Sequence, residues 1–137
     1  MRTALVTLLV AGCAYDAGSF RSPLAPFSGT PITIGCLDLT VARGSDSFTR
    51  GALVELSFGN RCDHRISLDL TSLNATAHGV HLAVWDPRGE LEVASLPARM
   101  SGTETFEYRE AGADEQVCID IGGVNRDAPR TEKWVCL

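Results

Sequence analysis

Hydrophobic and polar positions alternate in short blocks along most of the chain after Pro31. In residues 52–58, Val54, Leu56 and Phe58 share one side while Glu55 and Ser57 take the other. Ile66, Leu68 and Leu70 alternate with Ser67, Asp69 and Thr71, and Val80, Leu82 and Val84 repeat the pattern. A period of two sends successive side chains to opposite faces of an extended backbone, so each block predicts a half-buried β-strand. Residues 32–41 are rich in β-branched side chains, and residues 91–96, 103–108, 117–121 and 133–136 complete the set. Asp86-Pro87-Arg88-Gly89 predicts a turn, with Pro87 presetting φ and Gly89 accepting a left-handed conformation. That turn is expected to fold residues 80–84 and 91–96 into one hairpin. No stretch of ten or more residues carries a helical period.

About seven or eight such strands at regular spacing predict an all-β fold, an antiparallel sandwich over residues 31–137. The strand pattern resembles the immunoglobulin-like fold. Antibody domains place a Trp between two core cysteines and a Tyr two positions before the second; Gln116 stands at that Tyr position, so the resemblance is one of architecture. Two segments echo each other: Cys36-Leu37-Asp38-Leu39 and Cys118-Ile119-Asp120-Ile121. Each is expected to put Cys and Asp on one face and two aliphatic side chains on the other.

The N-terminus has a different pattern. Arg2 precedes an apolar run over residues 4–11, and Gly12 and Cys13 follow. A charge, a short apolar core and small residues are the plan of a secretory signal. The run is far short of the roughly 20 residues that a membrane-spanning helix needs. Leu9-Val10-Ala11-Gly12-Cys13 resembles the lipobox of bacterial lipoproteins at every position. The resemblance implies removal of residues 1–12 as a signal peptide, thioether acylation of Cys13 and attachment to a membrane, with palmitate among the acyl chains. Ala14 after the cysteine leans toward the outer membrane of a Gram-negative cell envelope, by the sorting rule of that family. Gly59-Asn60-Arg61-Cys62 and Asp86-Pro87-Arg88-Gly89-Glu90 also resemble segments of uncharacterised bacterial lipoproteins. Residues 13–30, with Pro23, Pro26, glycines and serines and no period, are expected to form a flexible tether spanning roughly 20–25 Å.

The five cysteines fit that plan. Lipidation of Cys13 leaves Cys36, Cys62, Cys118 and Cys136, and four cysteines in an oxidising compartment suggest two disulfides. Cys118 and Cys136 flank a turn containing Gly122 and Gly123, which favours Cys118–Cys136 with Cys36–Cys62. The alternative joins Cys62 to Cys118 and Cys36 to Cys136. The cysteine spacings contain no close pair of the kind structural zinc sites use, so no metal is expected.

A net charge of −5 with no run of like sign gives no electrostatic reason to bind nucleic acid. His64, His78 and His81 read as surface residues, since positions three apart on a strand face opposite ways. Disulfide bonding of Cys62 leaves no thiolate for His64 to activate. There is no Gly-x-Ser-x-Gly elbow, and Glu90 with Glu92 and Asp114 with Glu115 read as solvated charge. Asn74-Ala75-Thr76 matches a glycosylation acceptor, a signal a bacterial lipoprotein does not normally use. Trp85 and Trp134 are candidate partner contacts, Trp85 because it is out of phase with its strand and Trp134 because it shares a face with Cys136.

The reading that follows is a non-enzymatic envelope lipoprotein without cofactors, membrane-bound through its lipid, with a structural or protein-binding domain and envelope proteins as its partners. A ligand-binding module for glycan or a small molecule predicts a concave pocket lined by Trp85 or Trp134. A small hydrolase or metal-dependent enzyme predicts the three histidines converging with carboxylates.

Overall fold

The computed structural model describes residues 22–23, 30–45, 50–86 and 93–137. The expected signal peptide, Cys13, nearly all of the expected tether and Pro87-Arg88-Gly89 lie outside these residues. Eleven strands are present among them and no α-helix. In chain order they are β1 (Ser22–Pro23), β2 (Ile32–Ile34), β3 (Leu37–Arg43), β4 (Ala52–Asn60), β5 (Ile66–Asp69), β6 (Asn74–Ala77), β7 (Val80–Leu82), β8 (Val93–Leu96), β9 (Met100–Tyr108), β10 (Cys118–Asp120) and β11 (Trp134–Cys136).

They form an antiparallel β-sandwich. One layer is a five-stranded sheet in the order β1-β9-β4-β3-β2. Opposite it lie a four-stranded sheet, β11-β10-β6-β7, and the β5-β8 pair. The alternation read from the sequence decides which side chains meet between the layers. Leu37 and Leu39 of β3, Val54, Leu56 and Phe58 of β4, and Phe106 and Tyr108 of β9 are buried from one side. Ile66, Leu68, Leu82, Ala94, Leu96, Ile119 and Ile121 are buried from the other, and all join one hydrophobic cluster. Burial of this apolar surface is the main force holding the layers together. Two buried amides add direction: Asn125 donates to the Ile34 carbonyl (2.9 Å), and Asn60 donates to the carbonyls of His64, Leu96 and Pro97.

Two expectations about the strands need correction. The block at 32–41 is not one strand but a hairpin: Gly35 sits at φ +64°, a conformation that suits a residue without Cβ, and reverses the chain so that Ile34 pairs with Leu37. The hairpin between 80–84 and 91–96 does not form. Val80–Leu82 pairs instead with Asn74–Ala77 through a two-residue turn at His78 and Gly79, both with positive φ, and Val93–Leu96 pairs with Ile66–Asp69. Asn74-Ala75-Thr76-Ala77 is too weakly apolar to stand out as a strand, yet it is the nearer partner and its turn has the twist that hairpins favour. Past Leu82 the chain leaves its sheet, and the Trp85 amide donates to the Glu107 carbonyl (2.7 Å) beside β9.

Candidate functional site

Both disulfides join the pairs favoured by the sequence. Cys36 bonds Cys62 and Cys118 bonds Cys136. Cys118 and Cys136 are direct cross-strand partners, with Cα atoms 3.9 Å apart. The amides around them pair Val117 with Leu137 and Ile121 with Lys133, so the two cysteines occupy a non-hydrogen-bonded position, where opposed side chains come closest.

The register of the four-stranded sheet builds a site on its outer face. Asp120 of β10 has Trp134 of β11 on one side and Asn74 of β6 on the other. In the neighbouring row Cys118 lies between Cys136 and Thr76, and Thr76 faces His81 across the β6–β7 hairpin. Ile119 points the opposite way, into the core. Strand alternation and this register together gather an indole, a carboxylate, an amide and an imidazole on the outer face of the sheet.

Asp120 organises this surface from a buried position, 4% exposed. Its Oδ1 accepts from the backbone amides of Gly122 (2.9 Å) and Lys133 (3.1 Å), and its Oδ2 accepts from Arg130 (3.1 Å). The carboxylate is satisfied by fixed donors, as a buried charge must be. These bonds fold the segment after β10 back upon it. Gly122 is where the two passes touch: a Cβ there would lie 1.6 Å from the Thr131 carbonyl oxygen. The fold-back carries Arg130, Glu132 and Trp134 to the edge of a cleft of about 420 Å³ lined by Asn74, His81, Asp120, Arg130, Glu132 and Trp134. The Trp134 indole N–H donates to Glu132 Oε1 (2.6 Å), fixing the ring while leaving 41% of the residue exposed. A second cavity of about 630 Å³ shares Asn74 and His81 with the first and runs on past Leu70, Leu73, Leu82 and Glu110.

The other candidate aromatic is engaged differently. Trp85 is 45% exposed, but the Arg109 guanidinium lies 3.7 Å above its ring, in cation–π contact. Arg109 is held in turn by Glu107 (3.2 Å). The three histidines are dispersed: His64 contacts Asp63 (3.1 Å), His78 contacts Glu115 (3.2 Å), and His81 lines the cleft. The hydrogen bond from His64 holds the exposed Asp63 carboxyl below its ordinary range. Among the described residues no group of three or more His, Cys, Asp or Glu side chains is placed to hold a metal ion.

Of the residues singled out in the sequence, the structure brings Trp134 and His81 together and sets Trp85 against Arg109. Arg130, Glu132 and Asn74 were missed as site residues. The available signal was the echo at Asp120: a carboxylate sharing a face with Cys118, whose bonded partner Cys136 sits two residues after Trp134.

No family model matches the chain, and no curated protein matches it. The fold is similar to that of the crystal structure of the yjhA protein from Bacillus subtilis, with a TM-score of 0.57 and 12% identity over 80% of this chain and 96% of that one. At that identity the likeness extends to the β-rich fold alone.

Proposed function

We propose that this chain is a lipid-anchored protein of the bacterial cell envelope, at the outer membrane, whose β-sandwich plays a structural or protein-binding rather than catalytic role. The observation that carries this reading is the cysteine pairing. Both disulfides join the four later cysteines to one another, so none of them is left as a partner for Cys13. Cys13 stands where the lipobox pattern reserves a sulfur for acylation. Two disulfides in a domain of this size also suit an exported protein, because oxidising compartments are where such bonds persist.

A non-catalytic role is supported by the scatter of the titratable groups. A hydrolase needs a nucleophile and a base within hydrogen-bond reach, with a third group orienting the base. Here His64 and His78 each meet a carboxylate outside the Trp134 cleft, and His81 has no bonded partner among the described residues. Anchoring needs two or more acyl chains, since one binds membranes only marginally.

Metabolic labelling with an alkyne analogue of palmitate in a bacterial host tests the anchor. The wild-type chain is expected to take up label and partition with membranes, and Cys13→Ser to do neither. Mass spectrometry should find an N-terminal peptide that begins at an acylated Cys13. A mature chain that retains residues 1–12 and carries no lipid refutes the proposal.

A further inference from the structure

We infer that the Trp134 cleft is a saccharide-binding site, taking a sugar ring with its apolar C–H face on the indole and its hydroxyls toward Asn74, His81 and the Asp120–Arg130 pair. The inference is independent of the lipid anchor and rests on the chemistry of the lining. One aromatic side chain lines the cleft, partly exposed, and its orientation is fixed by the bond to Glu132. The other five lining residues are polar, and they include both hydrogen-bond donors and acceptors.

That combination discriminates among ligand classes. An apolar molecule would find a single ring to cover and would strip water from five polar groups without replacing their hydrogen bonds. A simple anion would meet Asp120 and Glu132, and a simple cation would meet Arg130. Asp120 is already neutralised by Arg130 and two backbone amides, and Glu132 is occupied by the indole N–H. The groups left with spare capacity are hydrogen-bonding ones: the Asn74 carbonyl oxygen and the His81 ring have no bonded partner among the described residues, and Arg130 keeps N–H donors beyond the one that Asp120 accepts. A neutral ligand with one apolar face and a rim of hydroxyls satisfies ring and rim together. The C–H bonds of a pyranose carry slight positive charge and meet the negative face of the indole.

The geometry suits more than one sugar unit. The cleft lies within the size range of small-molecule sites, and the adjoining cavity continues from Asn74 and His81, so an oligosaccharide has a path along the sheet. Because Cys118–Cys136 pins β11 to β10, Trp134 and Asp120 are held in place before any ligand arrives, and such preorganisation lowers the entropic cost of binding.

The test uses the full chain in a zwitterionic detergent free of sugar headgroups. Four neutral tetrasaccharides serve as probes: β-1,4-linked glucose, β-1,4-linked N-acetylglucosamine, α-1,4-linked glucose and β-1,4-linked galactose. The two indole N–H signals are followed by NMR, with Trp85→Phe used to tell them apart. At least one probe is expected to move the Trp134 signal saturably while leaving that of Trp85 in place. Trp134→Ala should weaken binding about tenfold or more, and Trp134→Phe should recover part of the loss. Asn74→Ala should weaken binding several-fold with an unchanged melting temperature, and Cys13→Ser should bind as the wild type does. No saturable shift from any of the four at about 10 mM overturns the inference. So does undiminished binding by Trp134→Ala, or a saturable shift from tetramethylammonium alone.

Discussion

Cys36-Leu37-Asp38-Leu39 and Cys118-Ile119-Asp120-Ile121 carry the same residue pattern and are put to different uses. In both, the aliphatic pair is fully buried, the cysteine is disulfide-bonded and the aspartate is paired with an arginine, Arg61 at 2.6 Å in one case and Arg130 at 3.1 Å in the other. The first segment enters a seven-residue strand that pairs along its whole length with the nine-residue β4. Its disulfide closes the end of a ladder that already has many hydrogen bonds. The second sits in a three-residue strand between two short neighbours. There the cross-link and the Asp120 bonds replace ladder length, and they hold Trp134 at its cleft. Where strands are long, the ladder sets the geometry; where they are short, covalent and charged contacts must.

Removal of each disulfide should show that difference most strongly. By the chain-entropy estimate, loops of 26 and 18 residues make the two bonds nearly equal, at about 3 kcal/mol each. Urea unfolding of Cys36→Ser/Cys62→Ser and Cys118→Ser/Cys136→Ser should therefore give similar losses. Amide exchange should separate them, with β10 and β11 losing protection in the second variant and β3 and β4 keeping most of theirs in the first. Equal loss of protection in both would break the comparison.

The glycines beside the two segments come next. Gly122→Ala forces a methyl group onto the Thr131 carbonyl and should cost about 2–3 kcal/mol with displacement of the Trp134 segment. At Gly35 the neighbours stand 3.2 Å from the added atom and the left-handed φ is the main obstacle, so Gly35→Ala should cost about 1–2 kcal/mol. Differential unfolding measurements that rank the two the other way would contradict the close approach at Gly122.

The aspartates sharpen the contrast further. Asp120→Ala removes a buried acceptor from two amides and a guanidinium, an expected loss of about 2 kcal/mol. Asp38 accepts from the Thr33 hydroxyl (2.7 Å) and pairs with an Arg61 side chain that is 47% exposed. Solvent weakens that pair, so Asp38→Ala should cost about 1 kcal/mol in the same assay.

Tyr108 links the halves and should give the smallest effect. Its hydroxyl, buried under the sheet, donates to the Leu73 carbonyl (3.4 Å), and burial raises its ionisation well above the ordinary tyrosine range. The native state thus keeps a proton that the unfolded chain releases near pH 10, so stability present below that pH falls as pH rises above it. Tyr108→Phe should cost about 0.5–1 kcal/mol at pH 8 and flatten the decline between pH 9 and 11. A wild-type urea midpoint that stays constant across that window would show the hydroxyl to be reachable by solvent.

Much of this organisation was written in the periodicity. Val54-Leu56-Phe58 and Ile66-Leu68-Leu70 supplied core faces because a period of two survives in strands that bury only one side. Cysteine parity and the turn at Gly122-Gly123 pointed to the disulfide pairs. The segment Gly59-Asn60-Arg61-Cys62, noticed only as a resemblance, turns out to hold a buried amide, the Asp38 partner and a bridged cysteine. The Trp134 cleft was legible only in part. Asn74 lay in a stretch too polar to announce a strand, Arg130 closed what read as a turn, and Glu132 lay between that turn and the last strand.

The amino-acid order alone determined the strand faces, the short apolar run before Cys13 and the number of cysteines, since each follows from local spacing and count. Tertiary structure decided which strands became neighbours, and therefore which outward side chains share a surface. A hairpin can choose either flanking segment, and that choice depends on core packing and turn twist summed over the whole domain. Asn74, Asp120 and Trp134 are far apart along the chain and meet because three short strands settled into one register.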